Sequence, residues 1–182
     1  TDEAGLLPEA VASVAAGARL LYALPNFQNP TSRTLSLERR IALVDICSKL
    51  GLPLIEDDPY GALSYRAAPL PRMLTMHPEG VIYMGSFSKT LTPGIRLGYV
   101  VAPKALVRKL ELAKQAADLY TATLTQMVVH EVVKDGFLES HIPTIRALYA
   151  ERCAAMLAAL TAFFPAGVTW TQPEGGMFIW VT

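Results

Sequence analysis

The chain has 182 residues, 52% hydrophobic and 18% charged, with 16 basic side chains against 16 acidic ones. That apolar content builds a sizeable core and excludes a disordered polypeptide, while zero net charge without a run of like charge argues against a nucleic-acid surface. No stretch reaches the length of a membrane span: residues 11–24 come nearest, and Arg19 interrupts them.

In chain order, residues 20–24 (LLYAL) are a short apolar run that reads as a buried strand. PNFQNPTSRT (25–34) follows, with two prolines and two asparagines, the composition of a turn-rich loop. Ser36 stands at an N-cap, with Arg39 where Glu or Gln would complete a capping box. The stripe Leu37, Ile41, Val44 and Ser48, flanked by Leu43, Cys47 and Leu50, predicts a helix that Gly51 stops. LPLI (52–55) is the next predicted strand, and EDDPYG follows it. Beyond a loop carrying Pro69, Pro71 and Pro78, VIYMG (81–85) is a third strand and GYVVA (98–102) a fourth.

Pro103 suits a first helical turn. Helical patterns then cover 104–117, 121–135 with Gly136 as a stop, and 137 to about 163 with Pro143 near the start. VTW (168–170) and MFIWV (177–181) flank PEGG, which predicts a hairpin with Gly175 and Gly176 in its turn. Alternating strands and helices predict an α/β fold, a mostly parallel sheet with flanking helices. The strands are continuous apolar runs, as expected when both sheet faces are covered. The expected division is a large domain over 1–137, a long interdomain helix over 138–164, and the start of a small α+β C-terminal domain over 165–182, in a chain incomplete at both ends.

Cys47 and Cys153 lie far apart in helical patterns and are expected to be free thiols in a reducing compartment. With no signal peptide at the start, the expected location is the cytoplasm. His77, His130 and His141 share no metal-ligand spacing, so no metal site is expected. Tyr22, Phe27 and Tyr83 read as core, and Gln126 as a structural residue or a substrate contact.

Three loops stand out because each follows a predicted strand: PNFQNP, EDDPY and SFSK. In a parallel sheet the strand carboxyl ends share one edge, and ligands bind beyond it. That topology lets Asn29, Asp57, Tyr60, Ser86, Ser88 and Lys89 converge. A desolvated lysine is a nucleophilic amine suited to a carbonyl. Serine hydroxyls and an arginine fork suit a phosphate. A strand-end carboxylate pairs with a protonated ring nitrogen, and a tyrosine with an asparagine amide holds a phenolic oxygen. Pyridoxal phosphate presents that combination of groups.

PNFQNPT (25–31), DDPY (57–60), SFSK (86–89) and GIRLGY (94–99) occur here in the order found in fold-type I pyridoxal-phosphate aminotransferases of class I/II, which the chain resembles. IYMGSFSKTLTPGIRLGY, AKQAADLYTATLTQMVVHE and PEGGMFIW are similar to the branch containing 2-aminoadipate aminotransferases and kynurenine aminotransferase II. The resemblance implies that Lys89 holds the cofactor as a Schiff base and that Asp57 pairs with the pyridine nitrogen, Asp58 being one position off the D-x-x-Y spacing. It implies Tyr60 and Asn29 at the phenolic oxygen, and Ser86, Arg96 and Ser88 at the phosphate. Ser32 departs from the glycine that many relatives carry after NPT. The resemblance further implies ping-pong transamination from an L-amino acid such as 2-aminoadipate, leucine or an aromatic one to 2-oxoglutarate, in a homodimer. It places the arginine for the substrate carboxylate, and an upstream phosphate loop, outside this chain.

Other readings are the effector domain of a winged-helix transcriptional regulator and another enzyme on the same cofactor, such as a β-lyase. The asparagine of FQNP favours a free enzyme over the regulator. A metal-dependent hydrolase built on Glu56, Asp57 and Asp58 leaves SFSK and Arg96 without a role.

Overall fold

The computed structural model describes residues 1–65 and 68–182. Four strands form one sheet in the order β1 (Leu21–Ala23), β2 (Leu54–Asp57), β3 (Val81–Ser86) and β4 (Gly98–Val101). β1, β2 and β3 run parallel, whereas β4 returns antiparallel to β3, so the sheet is mixed. The parallel pairs need crossovers, and these carry α2 (Leu37–Leu50) and the short α3 (Met73–Met76). An N-terminal helix, α1 (Pro8–Val14), precedes them; neither α1 nor α3 is foreseen from periodicity.

Register sets the two faces of the sheet. Leu54 pairs with Leu21 and Val81, and Glu56 with Ala23 and Tyr83. These side chains face the helices, and Val11, Ala23, Leu35, Leu43, Val44, Cys47, Leu54, Met73 and Val81 form the core. α2 starts and stops as the sequence predicts. The Arg39 amide donates to Ser36 Oγ at 3.3 Å, and Gly51 takes a left-handed conformation while Leu52 N–H donates to the Cys47 carbonyl at 2.9 Å. Its buried face is Arg40, Leu43, Val44 and Cys47, rotated from the expected stripe, so Ile41, Ser48 and Leu50 point to solvent.

The cause of that rotation is Arg40, which is fully buried. Its guanidinium donates to the carbonyls of Leu35 (3.0 Å), Pro71 (3.2 Å) and Pro25 (3.2 Å), and to Asn26 Oδ1 (2.5 Å). A buried charge is stable only when its donors are met, and here the loops on both sides of α2 supply the acceptors.

The opposite sheet face carries Tyr22, Ile55, Asp57, Ile82, Met84 and Val100. The expectation that both faces are covered does not hold within this chain: Tyr22 is 51% exposed and all of β4 is exposed. α4 (Lys104–Asp118) buries no residue, and α5 (Thr123–Val133) buries only Val129. Gln126 donates to the Thr121 carbonyl at 2.8 Å. α6 (Phe137–Phe163) meets the body of the fold through Arg146, which donates to the Ala62 carbonyl at 2.6 Å. Among the described residues no helix is long and apolar enough to cross a membrane.

The predicted C-terminal hairpin segments pair antiparallel, but only at their far ends: Trp170 bridges Val181, Thr169 and Thr182 exchange backbone bonds of 2.8 and 2.9 Å, and Thr171 N–H donates to the Trp180 carbonyl at 2.9 Å. Residues 173–178 instead turn back across the sheet edge. Gly175 bridges Ser64, Gly176 N–H donates to the Leu63 carbonyl, and Tyr65 N–H donates to the Glu174 carbonyl. Both cysteines are free thiols, Cys47 buried and Cys153 partly so.

Candidate active site

β2 extends two residues further than predicted, so Asp57 is its last residue rather than part of the following loop. Alternation along the strand then separates three consecutive carboxylates. Glu56 points into the core and accepts the Met73 and Leu74 N–H groups at 3.0 and 2.9 Å; burial pushes its carboxyl above the usual range, against those two bonds. Asp58 organises the next turn, accepting from Asn26 Nδ2 (2.8 Å), Gly61 N–H (2.9 Å) and the Tyr83 hydroxyl (3.2 Å). Asp57 faces the open side, where the Tyr22 hydroxyl donates to its Oδ2. Its Oδ1 has no hydrogen-bond partner among the described residues. Two of the three carboxylates are thus committed to holding backbone, which disperses the acidic trio rather than gathering it on one ion.

The Asp58 turn places Tyr60, whose ring is buried and meets Phe178 edge-on at 5.5 Å. Burial raises the Tyr60 pKa, and the nearby Asn29 side chain opposes that rise. Asn29 and Tyr60, 31 positions apart in the sequence, are therefore near enough for the one to act on the titration of the other. Asn29 itself is exposed, in a loop closed by Gln28 N–H to the Arg33 carbonyl (2.9 Å) and Ser32 N–H to the Gln28 carbonyl (2.6 Å).

Ser32 is buried in a left-handed conformation (φ 62°), and its hydroxyl donates to the Phe178 carbonyl. Gly175 and Gly176 cross the Phe27 ring so closely that a Cβ on Gly175 would lie 2.2 Å from Phe27 Cζ. These glycines serve clearance over an aromatic ring, not the hairpin turn expected of them. Segment 173–178 is thereby tied to both the Asn29 loop and Tyr60.

Ser86 ends β3 on the same face as Asp57, since Asp57 pairs with Met84 and Ser86 lies two residues on. Its Oγ accepts the Ser88 N–H at 3.0 Å. The loop beyond is pinned by Phe87 N–H to the Leu97 carbonyl (3.1 Å) and by the Leu91 and Thr92 N–H groups on the Phe87 carbonyl. Lys89 sits in that loop, half-buried and without a salt bridge among the described residues. Arg96 has a left-handed backbone (φ 52°) two residues before Gly98, which pairs with Ser86; it is exposed, and its guanidinium donates to the Pro93 carbonyl at 3.4 Å. All seven candidates therefore stand at or just beyond the carboxyl ends of the parallel strands. Asp57 is linked to β1 and Ser86 to Ser88, and Asn29 lies near Tyr60.

Tyr22 reads as core in the sequence and instead lies beside Asp57. The strand alternation of LLYAL carries that signal, because Leu21 and Ala23 share one face and Tyr22 must take the other. Phe178 and the latch role of Ser32 have no local signal, since both depend on contacts 146 positions apart.

The aminotransferase class I and II family model matches residues 10–182. The chain belongs to that family. Within it, aromatic-amino-acid aminotransferase 1 of Thermococcus litoralis is 45% identical over 165 residues, covering 90% of this chain and 40% of that protein. The crystal structure of Pyrococcus horikoshii kynurenine aminotransferase, in complex with PMP, matches at a TM-score of 0.93 and 42% identity, over 100% of this chain and 47% of that one. The Thermus thermophilus α-aminoadipate aminotransferase, complexed with N-(5'-phosphopyridoxyl)-L-leucine, matches at 0.93 and 41%, over 99% and 48%. An uncharacterised helix-turn-helix transcriptional regulator of Bacillus subtilis is 35% identical over 167 residues, 91% of this chain and 34% of that protein. The chain spans less than half the length of each of these aminotransferases. Its mixed sheet with flanking helices is the fold of these aminotransferase structures.

Proposed function

We propose that this chain carries the cofactor-holding part of a pyridoxal-phosphate-dependent aminotransferase. The observation that carries the reading is the set of groups at one sheet edge: a carboxylate oxygen on Asp57 unpaired among the described residues, the neighbouring Asn29 and Tyr60, and a lysine between two serines and an arginine. The chemistry of that set fits the cofactor group by group. Asp57 Oδ1 would accept from the ring nitrogen, Tyr60 and Asn29 would hold the phenolic oxygen, and Ser86, Ser88 and Arg96 would hold the phosphate.

When bound, the cofactor supplies an aldehyde for the amino group and a ring that takes up electrons from the substrate Cα. Lys89 Nζ would hold the cofactor aldehyde and, when free, would carry the α-proton as general base and then acid. Asp57 keeps the ring-nitrogen proton in place. The loop bonds at Phe87 fix the distance of Lys89 from the strand end, so the amine returns to one position in each half-reaction.

The relatives' names support a donor of the 2-aminoadipate or aromatic kind, and the family resemblance supplies 2-oxoglutarate as the proposed acceptor. The same reading carries a cytoplasmic homodimer, with residues 1–137 in the large domain, 138–164 as the interdomain helix and 165–182 opening the small domain. The similarity to a helix-turn-helix regulator favours a second reading, an effector domain that binds the cofactor without turnover; Asn29 speaks for the enzyme.

The test uses the full-length protein. Borohydride reduction followed by peptide mapping is expected to find a pyridoxyl group on Lys89. 2-Aminoadipate or leucine should bleach the visible band and 2-oxoglutarate restore it with turnover. Absence of an adduct on any lysine, in folded protein with excess cofactor, sinks the reading; an adduct with no turnover for any amino donor supports the regulator.

A further inference from the structure

We propose that Tyr22 is a positioning residue for Asp57: its phenol holds one carboxylate oxygen so that the other is presented to a ring N–H of the cofactor. The inference rests on the cofactor assignment above and adds a residue to it.

β1 is three residues long, and its outer two, Leu21 and Ala23, face the helical layer. Tyr22 is therefore driven to the open face, opposite Ile55 and diagonal to Asp57, a spacing that a long aromatic side chain spans. Its hydroxyl goes to the one carboxylate of Glu56, Asp57 and Asp58 that holds no backbone N–H. A ring left 51% exposed is not there for core packing.

A carboxylate with one oxygen fixed cannot rotate freely about its terminal torsion, so Oδ1 keeps a single aim. Burial, with the bond to Asp57 and its charge, raises the Tyr22 pKa to about 12, so the phenol remains a donor through the neutral range. Asp57 also lies at the end of β2, where the strand no longer restrains it on the C-terminal side. A tethering donor from the neighbouring strand replaces that restraint.

The experiment compares wild-type full-length protein with Tyr22→Phe, Asp57→Asn and the double variant. It reads melting temperature, cofactor Kd from resolved apoprotein, and the pH midpoint of the bound cofactor's visible band. Tyr22→Phe keeps the ring and should melt as the wild type does. It should bind cofactor about tenfold more weakly, the worth of one hydrogen bond to a charged group, and its pH midpoint should move. Asp57→Asn should lose more, and the double variant should be no weaker than Asp57→Asn alone, because the phenol acts only through that carboxylate.

Wild-type affinity and midpoint in Tyr22→Phe, with Asp57→Asn impaired, overturns the positioning role and leaves the cofactor reading standing. Fully additive effects also overturn it, since Tyr22 would then act on its own account. A wild-type protein that binds no cofactor removes the assignment on which both rest.

Discussion

Replacing Arg40 with methionine takes a guanidinium out of a site with no solvent access and puts a non-donor of similar length in its place. Three backbone carbonyls and the Asn26 side-chain oxygen lose their donor at once. Each buried acceptor left unpaired costs about 1–3 kcal/mol. The four costs do not add in full, because the loops relax and the desolvation of the charge, which pulls the Arg40 pKa down, is relieved. Breaking a buried hydrogen-bond network of this kind belongs to the large end of single-residue losses, so we expect about 4 kcal/mol for Arg40→Met. Arg40→Lys keeps the charge but cannot reach acceptors on both sides of the fork, and should cost about half as much.

The assay is urea unfolding of the full-length protein, read as a shift in midpoint at constant slope. A second readout follows the network outward. Asn26 joins Arg40 to Asp58, and Asp58 holds the Gly61 amide, so that amide should exchange faster in Arg40→Met while amides of α6 do not change. An Arg40→Met protein within about 0.5 kcal/mol of wild type, the spread of ordinary surface substitutions, would refute the claim that this side chain ties the Asn29 loop to the Asp58 turn.

Ser32 carries both a latch and a cost, and two variants separate them. Ser32→Ala loses the hydroxyl bond to Phe178 and keeps the left-handed backbone, so it should be less stable by about 1–2 kcal/mol. Ser32→Gly loses the same bond but relieves about 1 kcal/mol of backbone strain, and should unfold near the wild type in the same urea assay. Equal stability of the two variants would contradict this account. Glu56 makes a pH prediction. Its folded pKa is raised above its ordinary value of 4.5, so the folded chain binds more protons in the window above that value. Stability should therefore fall as pH rises through that window. Glu56→Gln should remove that slope while losing one backbone acceptor at every pH, which unfolding measured from pH 4.5 to 7 will show.

Much of the site is legible in the sequence. Asn29, Asp57, Tyr60, Ser86, Ser88 and Lys89 follow strand-like runs, and a parallel sheet brings such positions to one edge whatever its finer details, while Arg96 enters only through the family resemblance. Helix α2 is legible for a local reason, since Ser36 and Gly51 meet its terminal backbone groups from within the segment. The family resemblance, through its D-x-x-Y pattern, singles out Asp57 over Asp58; alternation along β2 adds a physical basis, because neighbours on a strand cannot face the same side.

What the sequence does not carry is set by partners far along the chain. Arg40 looks like one more charged residue on an amphipathic helix, and it is buried because Leu35, Pro71, Pro25 and Asn26 converge on it. Tyr22 looks like core, yet the sheet leaves its face open beside Asp57. Gly175 and Gly176 look like a turn, yet the Phe27 ring lies beneath them. Propensity, capping and alternation act within a few residues and are written in the local sequence. Burial of a charge, clearance over a ring and the aim of a carboxylate depend on which distant groups arrive at the same place, and only the packed chain decides that.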